Sequence, residues 1–288
     1  MNLGQPRRTP PGFARDRMSL LALCVGIALA VYLLALLALY CMQDRMLLPA
    51  PLQMPDPPTG HRGAYDVEPW NPGGQFAGYV VTPAAQAPCG TFIVFHGNAE
   101  TAGDKLPVAD VFVRNGYRVV LAEYPGQGKR EGERTMMAAL AASRDALGAA
   151  RAQWSGPLYL LGESLGAGMA AQAVRGNETA VAGAVLITPW DSLASVAAEH
   201  YRLFPVRWML HDPFDSIAAL ERYRAPLVVI GAQQDTLIPV AHAGRLASEH
   251  PGSELMLLPN ASHDSWFDAM NDERWQQVLD WLRASSPN

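Results

Sequence analysis

Two hydrophobic patterns divide the chain. From Met18 to Met42 the residues MSLLALCVGIALAVYLLALLALYCM run for 25 positions without a charge. At 1.5 Å per residue, a helix of that length crosses a hydrocarbon layer of ~30 Å with some tilt. A buried core helix would be shorter and would show a polar stripe, so the run predicts a transmembrane helix over 18–42. Beyond residue 60 the apolar residues fall into short β-rich runs: Gly78–Val81, Thr91–Phe95, Arg118–Ala122, Leu158–Leu161, Val185–Thr188, Leu227–Gly231 and Glu254–Leu258. These alternate with helical stretches at 101–114, 134–152, 165–174 and 271–284. Near-continuous apolar strands separated by helices predict an α/β fold, a mostly parallel central sheet flanked by helices. Pro49, Pro51, Pro55, Pro57 and Pro58 cannot continue a helix and are read as a stiff linker over 43–60. One folded domain over 61–288 follows.

The flanks orient the span. Arg7, Arg8, Arg15 and Arg17 precede it, whereas Arg45 and, further off, Arg62 follow it. The positive-inside rule then puts residues 1–17 in the cytoplasm and the domain on the other side of the membrane, periplasmic in a bacterium. The run ends in Tyr40-Cys41-Met42-Gln43-Asp44 rather than in small residues of A-x-A type, which predicts an uncleaved signal anchor. The bulky Tyr40 also fits poorly with lipidation of Cys41.

Composition excludes whole classes. Charged residues make up 17% and hydrophobic ones 49%, with 25 Gly and 23 Pro spread along the chain, which rules out a coiled coil, a collagen-like fibre or wholesale disorder. The net charge is −5, and the first 45 residues hold five Arg against two Asp, so the remainder is the acidic part. That balance argues against a nucleic-acid partner. Cys24, Cys41 and Cys89 cannot build a disulfide framework. Without C-x-x-C or H-E-x-x-H spacing, neither metal nor cofactor is expected.

The candidate chemistry centres on Gly162-Glu163-Ser164-Leu165-Gly166. As a pentapeptide, G-x-S-x-G is weak evidence, but here a buried strand (158–161) precedes it and a small-residue helix follows it. Strand, sharp turn and helix form the context in which a serine hydroxyl is pushed out of a sheet as a nucleophile. Gly162 and Gly166 supply the missing Cβ atoms where backbones approach closely. A serine is a weak nucleophile at neutral pH and needs a base, which in turn needs an orienting carboxylate. Among the seven His, His263 lies in the polar loop between the last strand and the final helix, and Asp235 directly follows the strand Leu227–Gly231. Asp264 and Asp191 are rival carboxylates, and Asp235 has an alternative role capping the turn before Leu237-Ile238-Pro239. The loop after the first parallel strand, His96-Gly97-Asn98-Ala99, suits an oxyanion site better than it suits a base. Its Asn98 N–H, with the Leu165 N–H of the elbow, is the expected donor pair. His200, His211, His242 and His250 are read as ordinary polar residues.

Taken together, Phe95–Ala99 (F-H-G-N-A), Glu123–Gly132, Gly162–Gly166 (G-E-S-L-G), Thr188–Ser192 (T-P-W-D-S), Asp235–Pro239 and His263–Trp266 resemble the α/β-hydrolases. Within them, the likeness is to the branch of membrane-anchored serine hydrolases with an H-G-N-A segment, which includes eukaryotic ABHD-type depalmitoylases and bacterial relatives. The resemblance implies a small helical cap at about 189–224. It also implies a triad of Ser164, Asp235 and His263. The family's usual Y-R-G-Y-G-x-S-x-G is replaced here by Tyr124–Gly132, so contacts made there by Arg, Tyr or Ser do not carry over. The depalmitoylases' N-terminal cysteine cluster is replaced by a span.

The resulting expectation is a membrane-anchored serine hydrolase acting on the carboxylic ester or thioester bond of a small-molecule or lipid-like acyl substrate, with Trp190 and Trp266 as pocket-lining candidates. Two other readings stand beside it. One is an amidase or aminopeptidase on the same fold, with Glu163 or Asp191 reading a free amine. The other is a non-catalytic anchored binding module.

Overall fold

In this computed structural model, the described residues are 12–50, 56–57, 59–212 and 214–284, without the side chains of 12–17. Arg7 and Arg8 of the expected cytoplasmic segment, and Pro51, Pro55 and Pro58 of the expected linker, lie outside them. The chain forms two compact units, Met1–Gln43 and Asp44–Asn288.

Helix α1, Gly12–Leu47, is longer at both ends than the predicted span. No Gly or Pro interrupts it after Gly26, and it stops two residues before Pro49, whose ring disfavours helical backbone in the preceding residue. Within it, Met18–Leu47 is long and apolar enough to cross a membrane, and none of that stretch is buried.

The second unit begins at Asp44, and the expected stiff, hydrogen-bond-poor linker is tied down at both of its described ends. The Asp44 carboxylate accepts the Met136 N–H at 2.8 Å, and Leu48 is fully buried in the core. Asp56 accepts the Tyr79 hydroxyl at 2.9 Å and pairs with Lys129 at 2.5 Å. A capping carboxylate and an apolar side chain gain more from the body than from solvent.

The elements run in the order β1 Gly60–His61, β2 Tyr65–Trp70, β3 Gly78–Pro83, β4 Thr91–Phe95, α2 Leu106–Arg114, β5 Arg118–Ala122, α3 Met136–Gln153, β6 Leu158–Glu163, α4 Leu165–Val174, β7 Gly183–Ile187, α5 Leu193–His200, α6 Val206–Met209, α7 Ser216–Leu220, β8 Leu227–Ala232, α8 Ala241–Glu249, β9 Ser253–Leu258 and α9 Asp272–Ala284. They build one sheet in the order β1-β2-β3-β5-β4-β6-β7-β8-β9. Pairing from β5 through β9 is parallel, whereas β1, β2 and β3 join antiparallel. Strands β1 and β2 are absent from the sequence reading. In β2 only Val67 and Trp70 are buried, and Pro69 weakens its strand signal.

Successive strand residues feed opposite cores, as a period of two requires. Ile93, Phe95, Leu158 and Leu160 pack with α3 and α4, while Phe92, Val94, Tyr159 and Leu161 pack with α2 and α9. Both faces of the central strands β4, β6, β7 and β8 are therefore covered, and there the sheet presents only its ends. The chain turns one way from β4 to β5 and the other way from β6 to β7, so the switch in strand order falls between β4 and β6. The crevice beyond the carboxyl ends of those two strands is where such sheets bind ligands.

Candidate active site

Ser164 is the whole turn between β6 and α4. Its backbone sits at φ 53°, ψ −115°, a conformation that costs on the order of 1–3 kcal/mol in a non-glycine residue. Neighbouring backbone hydrogen bonds hold it there: its N–H donates to Ile187 O at 2.9 Å, and its carbonyl accepts from Ala167 N at 3.0 Å. A Cβ at Gly162 would lie 2.1 Å from Gly166 O, and one at Gly166 would lie 2.0 Å from Phe95 O. Both contacts are backbone against backbone, so neither can yield by side-chain motion. Ser164 also occupies the N-cap position of α4, yet its side chain makes no capping bond. Instead its Oγ lies 2.9 Å from His263 Nε2.

The other ring nitrogen, His263 Nδ1, is 2.7 Å from Asp235 Oδ2. A carboxylate only accepts, so Nδ1 carries the proton and Nε2 is left to accept from the serine. The second oxygen, Asp235 Oδ1, accepts the N–H groups of Leu237 and Ile238, both at 2.8 Å. The two contacts considered for Asp235, with the turn and with the imidazole, are thus made by different oxygens of one carboxylate. Burial pulls the His263 pKa down, but the hydrogen bond and charge of Asp235, with the charges of Glu163 and Asp264, outweigh it and leave the pKa raised. The rival Asp264 is exposed. Asp191 is engaged elsewhere, 2.7 Å from His242 Nδ1 and 2.6 Å from Arg245 Nε.

Asn98 and Leu165 sit at the ends of β4 and β6, which run in register with Phe95 opposite Gly162. The close approach of Gly166 to Phe95 O and His96 O brings their two loops into contact. Among the described residues, neither N–H has a hydrogen-bond partner.

The loop after β4 is held by a buried polar network that the sequence reading missed. His96 Nε2 meets Glu123 Oε1 at 2.9 Å, Glu123 Oε2 accepts the Ala102 N–H at 3.0 Å, and the Tyr124 hydroxyl donates to His96 O at 3.1 Å. Glu100 Oε2 accepts the Gly97 N–H at 2.8 Å. Lys105 Nζ donates to Glu100 Oε1 at 2.6 Å and also to Glu163 Oε2. The carboxylates of Glu100 beside H-G-N-A and Glu163 within G-E-S-L-G were the available signal, but the pairings of His96 with Glu123 and Lys105 with Glu163 span 27 and 58 residues and could not be made without the fold.

Other expectations need correction. Trp190 and Trp266, the pocket-lining candidates, pack as core side chains, 4% and 2% exposed. The Trp190 indole covers Gly168, where a Cβ would lie 2.2 Å from its ring, and its N–H donates to Phe214 O at 3.1 Å. Trp266 packs edge-on against Phe267 and Trp275. His242 and His250, read as ordinary polar residues, are both buried, and His250 Nε2 faces Tyr223 O at 3.1 Å. Among the described residues, no cluster of His, Cys, Asp and Glu could hold a metal ion.

Comparison with known proteins agrees with this fold. The family described as serine aminopeptidase, S33, matches residues 86–211. An uncharacterized protein of Mycobacterium tuberculosis is 30% identical over 177 residues, 60% of this chain and 62% of the relative. The lysophosphatidylserine lipase ABHD12 of Rattus norvegicus is 30% identical over 174 residues, 53% of this chain and 43% of the lipase. The chain thus spans less than two thirds of the length of either relative. Among solved structures, the esterase Pf2001 of Pyrococcus furiosus superposes with a TM-score of 0.62 at 17% identity, covering 82% of this chain and 99% of the esterase. Est1E of Butyrivibrio proteoclasticus, solved with ferulic acid, gives 0.60 at 14% identity, with 78% and 98% coverage. At such identities these structures speak for the fold alone. In sheet order and serine elbow the chain has the α/β-hydrolase fold, and in sequence it is similar to ABHD-type members of that superfamily.

Proposed function

We propose that the protein is a membrane-anchored serine hydrolase that cleaves carboxylic ester or thioester bonds through Ser164, His263 and Asp235. The observation that carries this reading is the unbroken relay from Ser164 Oγ through both nitrogens of His263 to Asp235 Oδ2, at 2.9 and 2.7 Å. Ser164 Oγ attacks the acyl carbon as its proton passes to His263 Nε2, and the imidazolium is stabilised by Asp235. The N–H groups of Asn98 and Leu165 hold the negative oxygen of the tetrahedral intermediate, each such donor contributing ~3 kcal/mol to transition-state stabilisation. His263 then gives its proton to the departing oxygen or sulfur, leaving an acyl-serine. Water attacks that acyl group, its proton going to His263 and from there back to Ser164 as the acid departs.

The amidase or aminopeptidase reading, which the name of the matched family keeps in view, requires a carboxylate free to read a substrate amine. The two candidates are committed elsewhere: Glu163 to Lys105, and Asp191 to His242 and Arg245. That commitment favours the ester. The lipase and esterase relatives point to the same bond class, and the apolar N-terminal helix favours a lipid-like acyl substrate. In this reading Met18–Met42 is an uncleaved anchor, the N-terminus is cytoplasmic, and the hydrolase body with its three short cap helices lies on the opposite side.

The test uses the full chain in detergent micelles. A fluorophosphonate probe should label the wild type, p-nitrophenyl esters from C2 to C16 should be turned over, and aminoacyl p-nitroanilides should not. Ser164→Ala and His263→Ala should abolish labelling and turnover. A folded wild type that takes no label would move the weight to a binding module, and faster anilide than ester turnover would move it to an amidase.

A further inference from the structure

Lys105 is a buried cation that the proposed acyl transfer does not use. Only 6% of it is exposed. It closes a short 3-10 turn, Ala102–Lys105, in which the Thr101 N–H and hydroxyl both donate to Asp104 Oδ2 at 2.7 and 2.9 Å and the Asp104 N–H donates back to Thr101 O at 3.1 Å. The capped turn aims the lysine between two carboxylates. One is Glu100, whose other oxygen holds the Gly97 N–H at 2.8 Å. The other is Glu163, the residue immediately before Ser164. A single ammonium therefore bridges the loop that carries Asn98 and the elbow that carries Leu165. Those N–H groups stabilise an oxyanion only if their separation matches the atom between them, and they must be set before reaction begins.

We propose that Lys105 is a positioning residue, fixing the distance between the Asn98 and Leu165 donors by tying Glu100 to Glu163. The inference rests on the serine-hydrolase reading above. Lys105 has a second consequence as the counter-ion of Glu163. The groups that face His263 electrostatically are Asp235, Glu163 and Asp264, and the one that offsets Glu163 is Lys105. Losing the ammonium leaves a buried carboxylate uncompensated beside the base, which stabilises imidazolium and removes the neutral form that accepts the serine proton.

Three variants separate tether from counter-ion in full-length protein: Lys105→Met, Lys105→Met with Glu163→Gln, and Ser164→Ala as the reference for serine-dependent turnover. In Lys105→Met, ester kcat should fall by roughly tenfold to a hundredfold while KM stays within about twofold, because the lost interaction acts in the transition state. The acid limb of kcat/KM should move to higher pH. In the double variant that limb should return toward the wild-type position, because the uncompensated charge is gone, while kcat stays low, because the loop is still untied. Should Lys105→Met fail to fold, the double variant, which buries no unpaired Glu163, supplies the same kcat comparison. Wild-type kcat in Lys105→Met, or recovery of kcat in the double variant, overturns the positioning role. Turnover that survives in Ser164→Ala removes the serine reading itself, a separate and distinguishable failure.

Discussion

Replacing Asp235 by Asn exchanges one oxygen of a carboxylate whose two oxygens do different things. Oδ1 takes the N–H groups of Leu237 and Ile238 at 2.8 Å each, and Oδ2 faces His263 Nδ1 at 2.7 Å. An asparagine keeps an acceptor for the turn, so its NH2 must face the imidazole. Nδ1 is then forced to accept, the ring proton moves to Nε2, and the serine loses its base. In a serine hydrolase this tautomer error costs ~10⁴-fold in kcat. Stability should change little, because the two backbone bonds survive. Alanine removes both functions. Leu237 is exposed and its N–H is readily hydrated, whereas Ile238 is buried, so one backbone donor is left unsatisfied at a cost of about 1–3 kcal/mol. For a domain of this size, that corresponds to a melting-point drop of about 2–4 °C per kcal/mol. The assay pairs ester kcat with thermal melting for wild type, Asp235→Asn and Asp235→Ala. Asn should be inactive and near wild type in melting temperature, and Ala should be inactive and several degrees lower. An Asn variant within tenfold of wild-type kcat would refute the orienting role, and equal melting temperatures for Asn and Ala would refute the cap.

Three further outcomes follow from the same geometry. Because the pKa of His263 is raised, the acid limb of kcat/KM should lie above the ordinary histidine value of about 6.5, and the His263 pKa followed by NMR titration should move down in Asp235→Ala, where the largest opposing contribution is lost; a limb at or below 6.5 in the wild type would contradict this. Gly166→Ala puts a methyl 2.0 Å from Phe95 O, so denaturant unfolding should show a loss of about 3 kcal/mol or more, or no soluble protein. Burial raises the Asp191 pKa, but hydrogen bonds from His242, Arg245 and the Ser192 N–H bring it well below the usual carboxylate range. Its stabilisation is therefore present above an ordinary Asp pKa of ~3.9 and is lost as pH falls below that. Between pH 6 and pH 3, wild type should lose more unfolding free energy than Asp191→Asn; parallel losses would show that the cluster contributes nothing to acid stability.

The parts of the candidate site that were legible in the sequence are the ones written locally. Gly162–Gly166 is five residues long and carries its own requirement for missing Cβ atoms. Strands β4 through β8 announce themselves as apolar runs because both their faces are covered. Strand β2 does not, since only Val67 and Trp70 of its six residues are buried and it contains Pro69. The end of α1 at Leu47 was also missed, because apolar composition weakens at Gln43-Asp44-Arg45 while the helix itself continues until proline approaches. Trp190 and Trp266 show the limit of residue type. A large aromatic near a catalytic motif reads equally well as pocket or core, and only the packing against Gly168 and Trp275 decides.

By itself, then, the sequence determined the alternation of strand and helix, the apolar N-terminal helix and the serine elbow, because each rests on periodicity or on sterics within a few neighbouring residues. Which carboxylate faces His263, and which ones are consumed in pairing His96 with Glu123, Lys105 with Glu163 and Asp191 with His242, was decided only by the tertiary structure. Those partners are 27, 58 and 51 residues apart, and they meet because the parallel strands deliver their loops to one end of the sheet, where a buried charge must find whichever opposite charge the fold has brought within reach.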